Sequence, residues 1–460
     1  MAGSDNGLSP EEKRAAMSLA SIFALRMLGL FLVLPVFALY AHTLEGATPA
    51  LIGFALGAYG LTQASLQVVF GMASDKFGRK PVITLGLLLF AAGSFLCAEA
   101  ATIEAMIAGR MIQGGGAIAA AIVAMMGDLT REQNRTKGMA MIGGAIAMSF
   151  AFSMVAGPIM GAAWGVDNIF RIVGGLAILS ILVLWVVVPN PKHVRHHRDM
   201  ELTPGDLGKI LNNRELNRLS LGVFVLHMAM TAVFVSVPVL LAKTIPQGEL
   251  WKVYLPVILV SFALMVPAVI MAEVKGKMRQ VVMLGISMIA LSCVIFASGP
   301  DDSTRVIAGL LVFFIGFNML EPVLPSLVTK FAPAGARGTA SGVYNTFQFL
   351  GPFVGGTVGG ILLGHSHAAI FLFILAAALV WLVVARGMSV PIPYRQVVVP
   401  LDLAQGVPVE RIVAALSALD GVGEVQAFPE DGEAHVRFVS KQIEVDAIFA
   451  ATRELGAANA

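Results

Sequence analysis

The sequence predicts an all-α membrane protein in which twelve transmembrane helices form two pseudo-symmetric six-helix bundles. A small soluble α+β domain of the ferredoxin-like type follows them. Three observations lead to this fold class: the composition, the regular succession of apolar runs, and a change of composition near residue 389. Hydrophobic residues make up 57% of the 460 residues and charged residues only 13%. A soluble protein of this length could not bury so much apolar surface.

Each apolar run is predicted to be helical, because about 20 apolar residues in a helix cross the hydrocarbon and unpaired backbone groups cannot face lipid. The twelve expected spans are residues 16–42, 50–72, 80–98, 103–127, 137–163, 168–189, 217–242, 251–272, 280–298, 304–328, 338–363 and 367–386.

The lysines and arginines between these spans are distributed very unequally. One side holds Lys13, Arg14, Lys76, Arg79, Lys80, Arg131, Arg135, Lys137, Lys192, Arg195, Arg198, Lys209, Arg214, Arg218, Lys275, Lys277, Arg279, Lys330 and Arg337. The other side holds Arg171, Lys243, Lys252 and Arg305. Loops rich in lysine and arginine stay on the cytoplasmic side of a membrane. Both termini are therefore expected in the cytoplasm, and the chain is expected in the inner membrane of the cell.

Five segments follow from this orientation. They are a cytoplasmic tail (1–15), a first six-helix bundle (16–189), a cytoplasmic central loop (190–216), a second six-helix bundle (217–388) and a cytoplasmic C-terminal domain (389–460). The C-terminal domain begins with a linker and continues in the order βαββα. Its strands are expected at 397–401, 422–428 and 434–439 and its helices at 409–419 and 444–455, the order of a ferredoxin-like domain that lacks its last strand.

The two bundles repeat short patterns. The motif Asp75-x-x-Gly78-Arg79 recurs as Glu273-x-x-Gly276-Lys277, about 200 residues later, and Gly157-Pro158 recurs as Gly351-Pro352 at a similar offset. Duplication of a six-helix unit leaves repeats of this kind.

The loop from Gly71 to Lys80 has constrained residue types in a small space: Gly71, Asp75, Gly78, Arg79 and Lys80. This pattern resembles the loop between the second and third helices of the major facilitator superfamily.

Two further motifs carry the same resemblance. Arg110 and Gln113 open the fourth span in a pattern similar to the superfamily's Arg-x-x-x-Gly motif, associated with proton coupling, and Gly157-Pro158-x-x-Gly161 matches the core of its antiporter motif. Ser153 and Ala162 depart from that motif, which weakens the inference of export. With its C-terminal domain the chain resembles the YajR-type, drug:proton antiporter-like transporters.

A conformational latch is expected at the Gly71–Lys80 loop. Gly71 allows two helices to approach, and Gly78 turns the backbone tightly. Asp75 is expected to pair with Arg79 and to face the positive N-terminus of the eleventh span, near Arg337. Asp128 is a second acid near Arg79. The latch would join the two bundles on the cytoplasmic face and favour the outward-open state. The alternative is a solvated ion pair without a gating role.

Ionisable residues inside the spans are functional candidates, because an unpaired charge in the membrane is costly. Arg26, His227 and Glu321 are expected at one depth around a central cavity. Arg26 is a fixed positive charge, while His227 or Glu321 could exchange a proton. Arg110 joins them through the motif resemblance. The alternative for each is a paired residue that only packs helices.

Uncharged polar residues on the same spans could hydrogen-bond substrate or join helices. They are Gln63, Gln67, Gln113, Asn318, Asn345 and Gln348. Apolar side chains suited to an adaptable pocket are Phe31, Phe37, Tyr59, Met111, Phe314, Phe317, Tyr344 and Phe347.

No cofactor or metal is expected. Cys97 and Cys293 lie inside apolar runs, and the C-terminal domain has no cysteine. The histidines of the central loop (His193, His196 and His197) suit a basic loop near anionic lipid better than a metal or pH sensor. Basic residues do not form a nucleic-acid patch. The expected partners are a small-molecule substrate, protons and the lipid bilayer.

These observations favour a proton-coupled secondary transporter that exports a small amphipathic compound by alternating access and acts as a monomer. Two alternatives stay open: a metabolite symporter or uniporter of the same fold, and a membrane sensor that reads out through its C-terminal domain. That domain is expected to bind a regulator or to pack on the cytoplasmic face. An enzyme is not predicted, because the sequence shows no nucleophile with a base and no phosphate-binding loop.

Overall fold

The computed structural model describes residues 7–190, 204–333, 336–390, 394–404, 406–429, 432–439 and 442–457. Fifteen helices precede the first strand. They are α1 Pro10–Val33, α2 Phe37–Ala41, α3 Pro49–Phe77, α4 Arg79–Ala98, α5 Ile103–Gly114, α6 Ala119–Leu129, α7 Glu132–Trp164, α8 Val166–Val186, α9 Pro204–Leu211, α10 Arg214–Leu241, α11 Trp251–Glu273, α12 Met278–Ser298, α13 Ser303–Phe331, α14 Arg337–Leu363 and α15 His367–Arg386.

Within the described residues, 11 helical segments are long and apolar enough to cross a membrane. The helix α3 is a further segment of 29 residues, less apolar because it contains two glutamines and several glycines. The chain is therefore a multi-pass membrane protein, as the sequence predicted. Below, the end of the bundle at which α1 begins and at which the loop from Gly71 to Lys80 lies is called the basic end.

The first span begins earlier than predicted and is interrupted near its far end. α1 begins at Pro10, inside the segment assigned to the N-terminal tail, because Ser9 caps it: Glu12 N–H donates to Ser9 Oγ, and Ser9 N–H donates to the Glu12 carboxylate. The span then breaks between Val33 and Phe37, around Pro35.

Two other predicted boundaries also move. The fourth span is split into α5 and α6 by a non-helical stretch at residues 115–118, which includes Gly115 and Gly116. The central loop assigned to 190–216 contains α9, whose Ile210 is buried, and α10 begins at Arg214 because the Asn213 side chain accepts from two backbone N–H groups. Residues 191–203, including the three loop histidines, and the linker prolines Pro391 and Pro393 lie outside the described residues.

The C-terminal domain is a three-stranded antiparallel sheet with helices on one side. Its elements are β1 Tyr394–Pro400, α16 Val409–Ser417, β2 Val422–Phe428, β3 Glu433–Val439 and α17 Val445–Ala457. The strand order is β1-β3-β2, so α16 crosses over β3 between two parallel outer strands. This is the βαββα part of a ferredoxin-like fold. Its core is formed by the buried residues Val399, Ile412, Leu416, Val436, Phe438 and Ile448.

A seam of glycines joins the two halves of the bundle away from the basic end. On α3, Gly53, Gly57 and Gly60 lie against α14: a Cβ atom on Gly53 would overlap the carbonyl oxygen of Gly356, and one on Gly57 would lie 2.8 Å from the Phe353 oxygen. No other residue allows two helix backbones to approach so closely. We call Gly53, Gly57 and Gly60 of α3, with Gly356 and Gly360 of α14, the α3–α14 seam.

The other face of α14 packs on α10 in the same manner. A Cβ atom on Gly351 would lie 2.5 Å from the Phe224 oxygen and 3.2 Å from Cβ of His227. α14 therefore lies between the first bundle and α10, so any movement of α14 affects both.

An arginine of the C-terminal domain contacts the basic end of the bundle. Arg437, in β3, is 7% exposed and donates from Nη1 to the Ala332 carbonyl at 2.9 Å and from Nη2 to the Lys330 carbonyl. These carbonyls end α13, where a positive charge is favoured by the helix dipole. Arg437 also lies 3.3 Å from Glu424 Oε2 and 5.2 Å from the ring of Tyr394.

Candidate functional site

His227, Gln348 and Glu321 form a polar cluster in the second half of the bundle, called the C-half cluster below. They come from α10, α14 and α13. Nε2 of His227 lies 3.1 Å from Nε2 of Gln348 and 3.6 Å from Oε2 of Glu321. Gln348 Nε2 also donates to Glu321 Oε1 at 3.5 Å. The close approach at Gly351, one turn from Gln348, brings α14 near enough for these contacts.

The hydrogen bonds of His227 determine where its protons lie. Nδ1 is 3.1 Å from the Val223 carbonyl, which can only accept, so Nδ1 carries a proton. In the neutral ring Nε2 is then an acceptor, and the Gln348 amide can donate to it. A second proton would turn Nε2 into a donor that the nearby Glu321 carboxylate can accept. The cluster therefore has two hydrogen-bonded states that differ by one proton.

Glu321 is accessible although its carboxylate is turned inward. Its side chain is 39% exposed, whereas Oε2, the atom nearest His227, is buried. His227 itself is 8% exposed and packs edge-on against the Phe317 ring at 5.7 Å. Phe317 belongs to a group of rings that connects the halves, because it also lies 6.5 Å from Phe150 of α7.

Arg26 and Arg110 form a second cluster in the first half, with Tyr59 and Gln63 of α3; we call these four residues the N-half cluster. Arg26 Nη2 donates to the Tyr59 hydroxyl at 2.8 Å and to Gln63 Oε1. The Arg110 guanidinium lies 5.2 Å from the centre of the Tyr59 ring. Tyr59 therefore contacts both cations, one through its hydroxyl and one through its ring.

Arg110 is held mainly by its own helix and by neighbouring backbone. Its Nη1 donates to Gln113 Oε1 at 2.6 Å and its Nη2 to the Leu56 carbonyl at 3.5 Å. Gln113 in turn donates to Ser94 Oγ at 2.9 Å. Both Arg26 and Arg110 are almost fully buried, at 1% and 2% exposure.

The two clusters lie at a similar depth on either side of the α3–α14 contact. Gly60 packs against the Phe349 backbone, so Gln63 lies one turn from Gly60 and Gln348 lies one residue from Phe349. Both glutamines are displaced toward the basic end. Arg26, His227 and Glu321 therefore belong to adjacent layers of polar contacts: the hydrogen bonds of Arg26 go to α3, and those of His227 and Glu321 stay within the C-half cluster and α10.

At the basic end, Arg79 is enclosed by polar partners from α3 and α6. It forms ion pairs with Asp75 and with Asp128, the latter at 2.9 Å from Nε, and donates to Ser74 Oγ at 2.8 Å. The Arg79 and Asp128 side chains are 4% and 1% exposed, and Asp75 is 29% exposed. Lys80 donates to the Val188 carbonyl at 2.7 Å, which fixes α4 to the end of α8. Gly78 has φ 92°, a conformation that favours glycine and lets α4 begin directly after α3.

The antiporter-motif residues lie where α7 crosses the break in α1. A Cβ atom on Gly157 would lie 2.5 Å from the Leu32 oxygen and 2.9 Å from Pro35 Cγ. Pro158 is inside α7, and a Cβ atom on Gly161 would lie 3.2 Å from Gln247 Nε2, which belongs to the second half. These residues therefore permit close packing of α7 against the first half and against the second.

Asn318 does not join the C-half cluster. It is buried and donates to Ser261 Oγ at 2.8 Å, which fixes α13 to α11. Sequence reasoning also did not identify the α3–α14 seam or Arg437. The Gly-x-x-x-Gly spacings at Gly53–Gly57 and Gly356–Gly360 could have indicated the seam. No signal in the sequence marks Arg437, because its partners are backbone carbonyls of a distant helix.

No group of three or more His, Cys, Asp or Glu side chains that could hold a metal ion occurs in the part of the chain that the structure describes. A surface pocket of about 380 Å³ lies between α11 and α13, lined by Lys252, Pro256 and Leu311 among others. Its lining is almost entirely apolar. The α13 residues that line it precede Glu321 on that helix by ten residues or more.

The comparisons with known proteins agree with this architecture. The sequence model described as Major Facilitator Superfamily matches residues 19–356. The chain belongs to that superfamily. It is 42% identical over 443 residues to the "Inner membrane transport protein YajR" of Escherichia coli (strain K12), covering 95% of this chain and 96% of that protein.

More distant similarities extend the same conclusion. The chain is 28% identical over 357 residues to the "Multidrug resistance protein MdtH" of Aeromonas salmonicida (strain A449), covering 74% of this chain and 86% of that one. A solved structure of a bacterial homolog of the human lysosomal transporter Spinster, inward-facing and unoccupied, has a TM-score of 0.67 at 14% identity and covers 83% of this chain and 98% of that one. The predicted fold class is confirmed, and the chain is a transporter rather than an enzyme.

Proposed function

We propose that the chain is a proton-coupled secondary active transporter of the inner membrane that exports a small amphipathic compound by alternating access. The observation that carries this proposal is the C-half cluster. Glu321 is the only acid between residues 303 and 401, and it lies next to a histidine whose hydrogen bonds change with one proton. An isolated acid–histidine pair inside a membrane bundle suits proton exchange.

The proton step follows from the geometry. With His227 neutral, Gln348 donates to Nε2 and keeps α14 attached to α10. With His227 protonated, Nε2–H turns to Glu321, and Gln348 loses its acceptor on the ring. Because Gln348 lies on α14, which packs on both α3 and α10, this change alters the attachment of the two halves. If the proton passes from His227 to Glu321, both groups are neutral, the ion pair is lost and Gln348 can donate to Nε2 again.

Two sets of contacts would act as gates at the two ends of the transport pathway. The α3–α14 seam closes the end away from the basic end, and the latch residues Gly71, Asp75, Gly78, Arg79, Lys80 and Asp128 act at the basic end, which we infer to be cytoplasmic. Arg79, held by Asp128 and Asp75, would keep the end of α3 and the start of α4 rigid, so that α3 presents one surface to the start of α14. The six-helix bundles 16–189 and 217–388 would move as the two rigid units, joined by 190–216.

The cytoplasmic C-terminal domain, residues 389–460, would follow the second bundle in this cycle. Arg437 attaches it to the end of α13, the helix that also carries Glu321. A regulator bound to this domain could therefore act on the bundle without entering the membrane. The chain is proposed to work as a monomer, because the transport pathway lies between its own two halves.

Export in exchange for protons is supported by the antiporter-motif packing at Gly157 and by relatives that are named multidrug resistance proteins. Everted vesicles containing the chain, with an acidic lumen, test it. A panel of amphipathic dyes and aromatic acids is added outside while a lumenal pH dye is recorded. Antiport predicts loss of lumenal protons as a compound enters. Proton entry with the compound, or compound entry without proton movement, would instead indicate symport or uniport.

A further inference from the structure

The ionisable residues within the spans are unbalanced in charge. Among the described residues up to 189, every acid lies outside a span or within a few residues of a helix end: Glu11, Glu12, Glu45, Asp75, Glu99, Glu104, Asp128, Glu132 and Asp167. Arg26 and Arg110 lie inside their spans, are almost fully buried and remain charged. Glu321, in the other half, is the only acid deep within a span of the second half. The first half therefore carries two buried positive charges without an acid at their depth.

The hydrogen bonds of Arg26 show the same deficit. Its Nη2 atom has two partners, both neutral oxygens, whereas its Nε and Nη1 atoms are buried without any hydrogen-bond partner. Nε of Arg110 is also buried without a partner. A guanidinium offers five N–H donors, and leaving several of them unused in a low-dielectric interior is costly. Two arginines in contact with the same tyrosine share this deficit.

We propose that the N-half cluster binds an anionic group of the transported substrate, a carboxylate or a similar monoanion on an otherwise apolar molecule. This inference rests on the proposed function and assigns its substrate class. Nε and Nη1 of Arg26 each keep an unused N–H donor that an anionic oxygen can accept. Tyr59 and Gln63 both accept from Nη2 and thereby orient the guanidinium. The rings of Phe90, 5.8 Å from Arg26, and Phe37, 5.7 Å from Arg110, are fully buried and make the surroundings of both cations apolar.

The test uses the full-length purified protein and three naphthalene probes of one shape: 2-naphthoate, the neutral 2-naphthamide and the cationic 2-naphthylmethylammonium. The proposal predicts that 2-naphthoate raises the unfolding temperature by about 2–4 °C in a saturable manner. The amide and the cation should have little effect. Arg26→Gln should abolish the 2-naphthoate shift, and Arg26→Lys should weaken it, because lysine keeps the charge but not the guanidinium's additional N–H donors.

Arg171→Gln is the matched control, because Arg171 is exposed at the end of the bundle and already paired with Glu99 and Asp167. Gln63→Glu keeps the inference testable if Arg26→Gln does not fold. It places a carboxylate at the Arg26 Nη2 atom, so it should raise the unfolding temperature of the ligand-free protein and remove the 2-naphthoate shift.

The inference is overturned if the amide stabilises the protein as much as 2-naphthoate, if 2-naphthoate has no effect, or if its effect survives Gln63→Glu. These outcomes differ from a failure of the proposed function. Proton-coupled exchange of a neutral or cationic dye in everted vesicles would leave the proposed function standing while removing the anion site. Absence of any proton-coupled exchange would remove the function itself.

Discussion

The imidazole Nε2 of His227 lies 3.6 Å from the carboxylate Oε2 of Glu321, with the Gln348 amide in contact with both. The pair joins α10 to α13, and Gln348 joins both helices to α14. The N-half cluster lies at a similar depth on the first-half side of the α3–α14 contact. Charged groups of the two halves therefore flank the helices that hold the halves together, which is where a change of charge has the largest effect on their relative position.

Replacing Gln348 by leucine should make the histidine depend on Glu321 alone. The amide that donates to neutral His227 is lost, while the carboxylate that accepts from protonated His227 stays. We therefore expect the pH midpoint of compound-driven proton release to move to a higher value, because only the neutral state is destabilised. Thr346→Val, on the same helix, is the control, because the Thr346 hydroxyl donates to the Gly342 carbonyl of its own helix. A lower midpoint would contradict the proposed arrangement of the cluster.

The two acids that contact Arg79 should contribute unequally to stability. Asp128 is 1% exposed and Asp75 is 29% exposed. Removing one partner of a buried ion pair costs about 3–5 kcal/mol, whereas a partly exposed pair is worth about 1 kcal/mol or less. Asp128→Asn should therefore lower the unfolding temperature clearly and Asp75→Asn only slightly, as measured by thermal unfolding in detergent. Equal effects would show that Arg79 does not depend on the buried acid.

A gating role for the same loop needs a separate measurement. Asp75→Asn leaves the Arg79–Asp128 pair intact, so a merely structural loop should not change its conformation. The latch predicts a change in the ratio of inward-open to outward-open molecules, measured with paired spin labels at the basic end. An unchanged ratio together with unchanged transport would reduce Asp75 to a solvated partner of Arg79.

The α3–α14 seam should not tolerate side chains. Gly53→Ala places a methyl group against the carbonyl oxygen of Gly356, and the two helices must separate. Spin labels introduced by Glu45→Cys and His365→Cys, at the ends of these helices away from the basic end, should move apart by a few ångströms. Native Cys97 and Cys293 are buried and should not react. Gly143→Ala is the matched control, because nothing lies within 4 Å of its Cβ position. Equal label distances in both variants would contradict the seam.

Arg437 should hold the C-terminal domain on the bundle. Arg437→Gln removes the charge that caps the carbonyls of Lys330 and Ala332, so amide hydrogen exchange in the last turn of α13 and in β3 should accelerate. Arg411→Gln, at an exposed position on α16, should leave exchange unchanged. Acceleration in both variants would indicate general destabilisation of the domain instead of loss of docking.

Much of this arrangement is readable from the sequence because lipid imposes simple rules. Apolar length fixes the spans, the lysines and arginines divide the loops into two sets, and the order of strands and helices after residue 389 predicts the sheet topology. A lone glutamate next to a proline in a span, such as Glu321, is conspicuous for the same reason. The presence of charged candidates at Arg26, Arg110 and His227 was likewise visible.

What the sequence could not supply is the rotation of each helix. Asn318 and Gln348 are both polar residues of the second bundle, yet one points to Ser261 of α11 and the other to His227. Helix starts were also misplaced where a cap, not hydrophobicity, decides them, as Ser9 does for α1. The missing counter-charge of Arg26 became evident only when its hydrogen-bond partners were known.

The central claim is that Glu321, with His227, couples proton movement to transport, and Glu321→Gln tests it most directly. The isosteric amide cannot release a proton, but it preserves the shape of the site. In proteoliposomes we expect the variant to lose proton-driven accumulation of a transported compound while retaining its exchange across the membrane without a proton gradient. Glu273→Gln, at the exposed end of α11, should retain both. Full proton-driven accumulation by Glu321→Gln would contradict the account.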